Sequence, residues 1–165
     1  MKISLVLFLC FWYIGLHGQQ TTSIDVIASD SKKITFSAEQ LKEFKTYLLD
    51  SLVITNHAGK YKGTLKDMTG VLLKDVLAGM FQAAESPKVL SEYYLICKAS
   101  DGYKVTFSWN ELFNTAIGDR VLIVTSIAGP DFWRETTLAL VSPKDIATGR
   151  RYVKQLQEIR LVRVD

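Results

Sequence analysis

Apolar and polar positions follow each other most regularly over Tyr93–Trp109, where two β-rich runs flank Asp101-Gly102. Both residues of an Asp-Gly pair tolerate positive φ, so the spacing predicts a two-residue hairpin with a type I′ turn. In that register Ser100 faces Tyr103, Lys98 faces Val105, Ile96 faces Phe107 and Tyr94 faces Trp109. One face then carries Tyr94, Ile96, Tyr103, Val105, Phe107 and Trp109 and is predicted to be core. The other, with Leu95, Cys97, Ala99, Lys104, Thr106 and Ser108, is mixed.

The rest of the chain reads as strands and short helices. Ser23–Ser29 alternates weakly and predicts an edge strand or an N-terminal arm; Lys33–Phe36 is a short strand. Ser37 with Gln40 has the form of a capping box. It predicts a helix over 38–49, with Leu41, Phe44 and Leu48 turned inward. Ser51–Asn56 is a strand, His57–Lys60 a turn, and Tyr61 begins the return. Gly70–Leu77 predicts a second helix, extending to about Met80 or Ala83, and Glu85-Ser86-Pro87 ends that region. Ser108 with Glu111 marks a short helix directly after the hairpin. Val121–Val124 is apolar throughout, as in a strand covered on both faces. Thr137–Val141 and Ile159–Val164 are further strands. This order lacks a regular βαβ beat and predicts an α+β fold with a mixed β-sheet and short helices.

Composition changes the picture mainly at the N-terminus. The chain has 165 residues, 48% hydrophobic and 22% charged, which suits one domain. Lys2 followed by the apolar run Ile3–Leu16, with Gly18 ahead of Gln19-Gln20, reads as a secretory signal peptide over 1–18. The expectation is a single domain over 19–165, secreted or periplasmic, with no membrane contact after cleavage. Without residues 1–18 the formal charge falls from +3 to +2, because Lys2 is the only charge removed. So small a net charge, with no basic stripe among aromatics, gives no field for nucleic acid. Cys10 and His17 leave with the leader, so the mature chain keeps Cys97 and His57. That inventory excludes a Cys/His zinc cluster and a Cys-x-x-Cys redox pair. No glycine-rich phosphate loop is present.

Several segments in order resemble one family. They are Thr69-Gly70-Val71-Leu72-Leu73-Lys74-Asp75-Val76-Leu77, Ser100-Asp101-Gly102-Tyr103-Lys104-Val105, Gly129-Pro130, Val141-Ser142-Pro143 and the basic run from Gly149 to Ile159. The chain from about Ile34 to Val164 is similar to the small stand-alone form of the molybdopterin-binding domain of sulfite-oxidase-like oxidoreductases. The resemblance implies a mixed-sheet α+β domain that cradles a pterin whose dithiolene holds molybdenum. In the redox-active members a cysteine on a loop after an early strand completes the metal site, as suits a soft metal–sulfur centre. The comparable loop here, Thr55–Lys60, has no cysteine, which argues against molybdenum and against sulfite oxidation.

The resemblance further implies that the pterin phosphate lies near Arg150, Arg151 and Lys154, whose cations suit phosphate oxygens; ion pairs with Asp145 or Glu158 are the other use for them. His57, beside Asn56, is a candidate ligand, acid–base group or simple turn residue. Trp133 and Phe132 either line a pocket or plug the end of a sheet. Cys97 reads as a buried small hydrophobe. Three functions stay open: a module binding a pterin-like or other small anionic ligand, an active molybdenum-dependent oxidoreductase, and an interaction protein on an inherited fold.

Overall fold

A computed structural model describes residues 21–80, 86–128 and 138–164. Two five-stranded sheets carry the fold. The first has the order β2-β1-β10-β5-β6, from β1 (Ser23–Ile27), β2 (Lys33–Ser37), β5 (Tyr93–Ala99), β6 (Lys104–Ser108) and β10 (Leu156–Arg163). The second has the order β3-β4-β7-β8-β9, from β3 (Thr46–Thr55), β4 (Tyr61–Leu72), β7 (Leu122–Ala128), β8 (Ala139–Val141) and β9 (Val153–Lys154). Strands β1 and β10 pair in parallel, and every other strand pairing among the described residues is antiparallel, so the first sheet is mixed. Four short helices are described: α1 (Ala38–Leu41), α2 (Leu73–Leu77), α3 (Pro87–Leu90) and α4 (Trp109–Phe113). The fold is α+β, as the order of elements predicts.

Strict alternation builds the core. Along β5 every second residue from Tyr93 to Ala99 is buried, and Val105 and Phe107 do the same on β6. Leu95, Cys97, Ala99, Val105 and Phe107 pack with Ile24, Val26, Ile159 and Leu161 against Val71, Ile123, Leu140 and Val153 of the second sheet, and with α2 and Leu112 of α4. The opposite face of the second sheet is apolar too, through Leu52, Ile54, Leu65, Met68, Leu122, Val124 and Tyr152. Strand β7 thus gives Ile123 to one cluster and Leu122 and Val124 to the other. Its unbroken apolar run follows from that.

The hairpin differs from its predicted register by one residue. Cys97 pairs with Val105 and Leu95 with Phe107. The loop has three residues: Gly102 N–H donates to Ala99 C=O, Ala99 N–H donates to Tyr103 C=O, and Gly102 takes φ +88°. This is a type I turn closed by a glycine in the left-handed region, the alternative to the two-residue turn for the same Asp-Gly pair. A one-residue slip exchanges faces. Leu95, Cys97 and Ala99 therefore go inward, and Tyr94 and Ile96 stay half-buried on the outer face.

Three other expectations change. The helix predicted over 38–49 stops after one turn. The Ser37–Gln40 capping box forms in full, but the chain re-enters a strand at Thr46 and Leu48 is 69% exposed. Pairing of Thr46–Leu49 with Met68–Val71 outweighs the short helical repeat. The Gly70–Leu77 helix begins only at Leu73, because Thr69–Leu72 complete β4. The first strand is not at an edge: β1 lies between β2 and β10.

Candidate functional site

One end of both sheets closes around a cleft of about 800 Å³. The end of β3 and its turn supply Thr55, Asn56 and His57, and β4 supplies Lys62. The hairpin tip of the first sheet supplies Asp101 and Tyr103. The segment entering and forming β9 supplies Gly149, Arg150, Tyr152 and Lys154.

Specific bonds fix these walls. Thr148 Oγ1 accepts from Thr55 N–H at 3.1 Å and donates to Val53 C=O at 2.6 Å, which ties the 3₁₀ turn Thr148–Arg151 to β3. Gly149 makes that approach possible: a Cβ there would lie 2.5 Å from Thr55 O. Tyr103 Oη donates to Arg150 C=O at 2.5 Å, and Ser100 Oγ donates to Gln155 Oε1 at 2.7 Å. The hairpin tip is thereby held on both sides of β9. Asn56 Oδ1 accepts from the amides of Ala58 and Lys60, so its oxygen builds the turn that presents His57, an exposed residue.

The cleft is cationic. Lys62, Arg150 and Lys154 face one carboxylate, Asp101, whose Oδ1 already accepts from Tyr103 N–H at 2.9 Å. The rings of Tyr103 and Tyr152 add flat apolar surface, and Lys154 Nζ lies 5.5 Å from the Tyr152 ring centroid. Thr55 Oγ1 is buried with no hydrogen-bond partner among the described residues.

The sequence-derived candidates divide. Arg150, Lys154, His57 and Asn56 come together around this cleft. Arg151 does not line it. Its Nε donates to Asp145 Oδ2 at 2.7 Å, its Nη2 to Asp145 Oδ1 and its Nη1 to Glu111 Oε1 at 2.6 Å. Its guanidinium carbon sits 4.2 Å from the Phe107 ring centroid. The bond to Asp145 is the main cause holding its pKa above the ordinary value, with burial opposing and Glu111 assisting. In a 3₁₀ turn successive side chains diverge by roughly 120°, which sends neighbouring arginines to different surfaces. Trp133 and Phe132 lie outside the described residues. Lys62, Tyr103, Tyr152 and Thr55 were not among the sequence-derived candidates; only Tyr103, beside the Asp-Gly turn, had a local signal.

The donor set does not fit a thiolate-bound metal. Cys97 is fully buried in mid-strand, does not line the cleft, and burial pushes its thiol up to about 12, with Arg151 slightly opposing. Such a thiol stays protonated, whereas a metal ligand must be thiolate. No group of three or more His, Cys, Asp or Glu residues that could hold a metal ion occurs among the described residues.

No family model matches the chain, and no curated protein matches it in sequence. Among solved structures it is similar to the sulfane dehydrogenase SoxCD from Paracoccus pantotrophus, with a TM-score of 0.61 at 15% identity. The match covers 87% of this chain and 38% of that one, so this chain spans well under half of the protein it resembles. The likeness is one of architecture alone.

Proposed function

We infer that this chain is an exported binding domain that holds a small, flat, anionic ligand of the pterin type in the cleft, without a protein thiolate on a metal. The observation that carries this reading is the wall formed by Lys62, Arg150 and Lys154 around the Tyr103 and Tyr152 rings, with Asp101 as the only carboxylate among the residues lining the cleft. Cations bind anionic oxygens through charge-assisted bonds, and flat rings give a planar guest apolar contact. The fold likeness makes a pterin the first ligand to try. Export rests on Lys2, the Ile3–Leu16 run and Gly18. The oxidoreductase reading would need a metal ligand that Cys97 is not placed to supply.

Native mass spectrometry of protein purified from its own host tests the ligand directly, because a bound pterin adds a defined mass. Titration with pterin-6-carboxylate, followed by quenching of its fluorescence, tests the cleft. Arg150→Glu and Lys62→Glu are each expected to weaken binding about tenfold or more, as loss of a charge-assisted bond implies. Unchanged affinity in both variants would refute the cleft reading. Sequencing the mature N-terminus checks the leader.

A further inference from the structure

The first sheet ends on β6, which has a neighbouring strand on one side only. Ala99 N–H bonds to Tyr103 C=O, so the hydrogen-bonded pairs of this ladder fall at Ala99–Tyr103, Cys97–Val105 and Leu95–Phe107. At the alternate residues, Lys104 and Thr106, the amide and carbonyl turn away from β5. Among the described residues no strand pairs with them.

A second groove, of about 610 Å³, runs along this edge. Val105, Ile117 and Ile146 make its apolar side, and Ile146 is fully exposed. Lys104, Lys144 and Arg150 make its cationic side. Its one carboxylate, Asp145, is engaged by Arg151. Among the described residues Lys104, Lys144 and Arg150 form no ion pair. Lys104 also stands directly opposite Lys98 across the ladder, a like-charge pair that an incoming carboxylate would relieve.

Open main-chain groups, an apolar side and uncompensated cations together fit an extended peptide in which acidic and apolar residues alternate. Main-chain bonds would supply affinity and alternate side chains specificity. A lysine on a short edge strand usually guards against pairing with another copy. The same charge admits an acidic strand while repelling a basic one. We propose that the β6 edge takes an acidic–apolar segment of a partner protein as an added strand.

The test uses the whole chain and two fluorescent pentapeptides, Asp and Val alternating in one, Lys and Val in the other. Anisotropy should show saturable binding of the acidic peptide and none of the basic one. Amide exchange at Lys104 and Thr106, followed by NMR, should slow about tenfold or more when the acidic peptide is bound, since those donors become paired. The double variant Lys104→Glu/Lys144→Glu should weaken binding about tenfold or more. Failure to bind at millimolar peptide would overturn the proposal, and so would binding that leaves both amides unprotected. If sedimentation shows self-association through this edge that the acidic peptide does not displace, the occupant is a second copy and the proposal falls.

Discussion

Tyr103 Oη donates to the main-chain carbonyl of Arg150 across 2.5 Å, joining the hairpin tip of one sheet to the turn that leads into β9 of the other. The cleft lies between those two elements, so this bond sets one of its dimensions. Tyr103→Phe should lower stability by about 0.5–1 kcal/mol, the net worth of an exposed hydrogen bond. It should weaken pterin-6-carboxylate binding as well. The denaturation midpoint should fall with an unchanged denaturant slope.

Adjacent arginines should behave in opposite ways. Arg151→Met keeps an apolar stem over Phe107 but leaves Asp145 and Glu111, both largely shielded, without their cation. The expected loss is about 2 kcal/mol, less than for a fully buried pair because the arginine retains some exposure. Arg150→Met, at an exposed side chain, should change stability by less than about 0.5 kcal/mol while weakening the ligand. Thermal melts of both variants beside the titration separate the two roles.

Much of the architecture was legible in the sequence because its signals were local. The Ser37–Gln40 and Ser108–Glu111 caps, the Asn56–Lys60 turn and the apolar run Leu122–Val124 that opens β7 each declare themselves within a few residues. What escaped depended on distant partners. Thr46–Leu49 is a strand because β4 lies alongside, and nothing within those residues rules out a helix. The hairpin slipped by one residue because Asp-Gly serves both two- and three-residue loops. Of the site, the Arg150–Lys154 segment and the His57 turn could be singled out. An ion pair with Asp145 was the other use the sequence offered for this basic group; that Arg151 takes it while Arg150 does not, and that Lys62 and Tyr152 join the cleft, follows from the 3₁₀ turn and the packing of two sheets.

Gly149→Ala should be among the most damaging small changes on the surface. Its Cβ would sit 2.5 Å from Thr55 O and 3.3 Å from Ile54 Cγ2, so the turn must lift away from β3. A loss of about 2 kcal/mol is expected, the usual scale for overpacking a rigid contact. Binding in the cleft should weaken with it, as the same turn presents Arg150.

Cys97 should be inert in the native protein. An aromatic disulfide reagent at pH about 8 should find no reactive thiol in the chain from Gln19 onward, and one after denaturation. Burial raises the folded thiol from 9.0 to about 12. The unfolded chain therefore releases this proton first as pH rises. The stabilising contribution is complete below pH 9.0 and is lost progressively toward pH 12. Denaturation midpoints should fall over that window, and Cys97→Ala should flatten the fall.

Strand β10, which follows every other strand in the chain, sits in the middle of the first sheet, between β1 and β5. A growing polypeptide that has not yet reached Leu156 can form the β1–β2 and β5–β6 hairpins but cannot join them. The first sheet must therefore stay open during synthesis until Leu156–Arg163 has left the ribosome. Truncation before that stretch should yield two unconnected halves instead of a smaller version of the same protein.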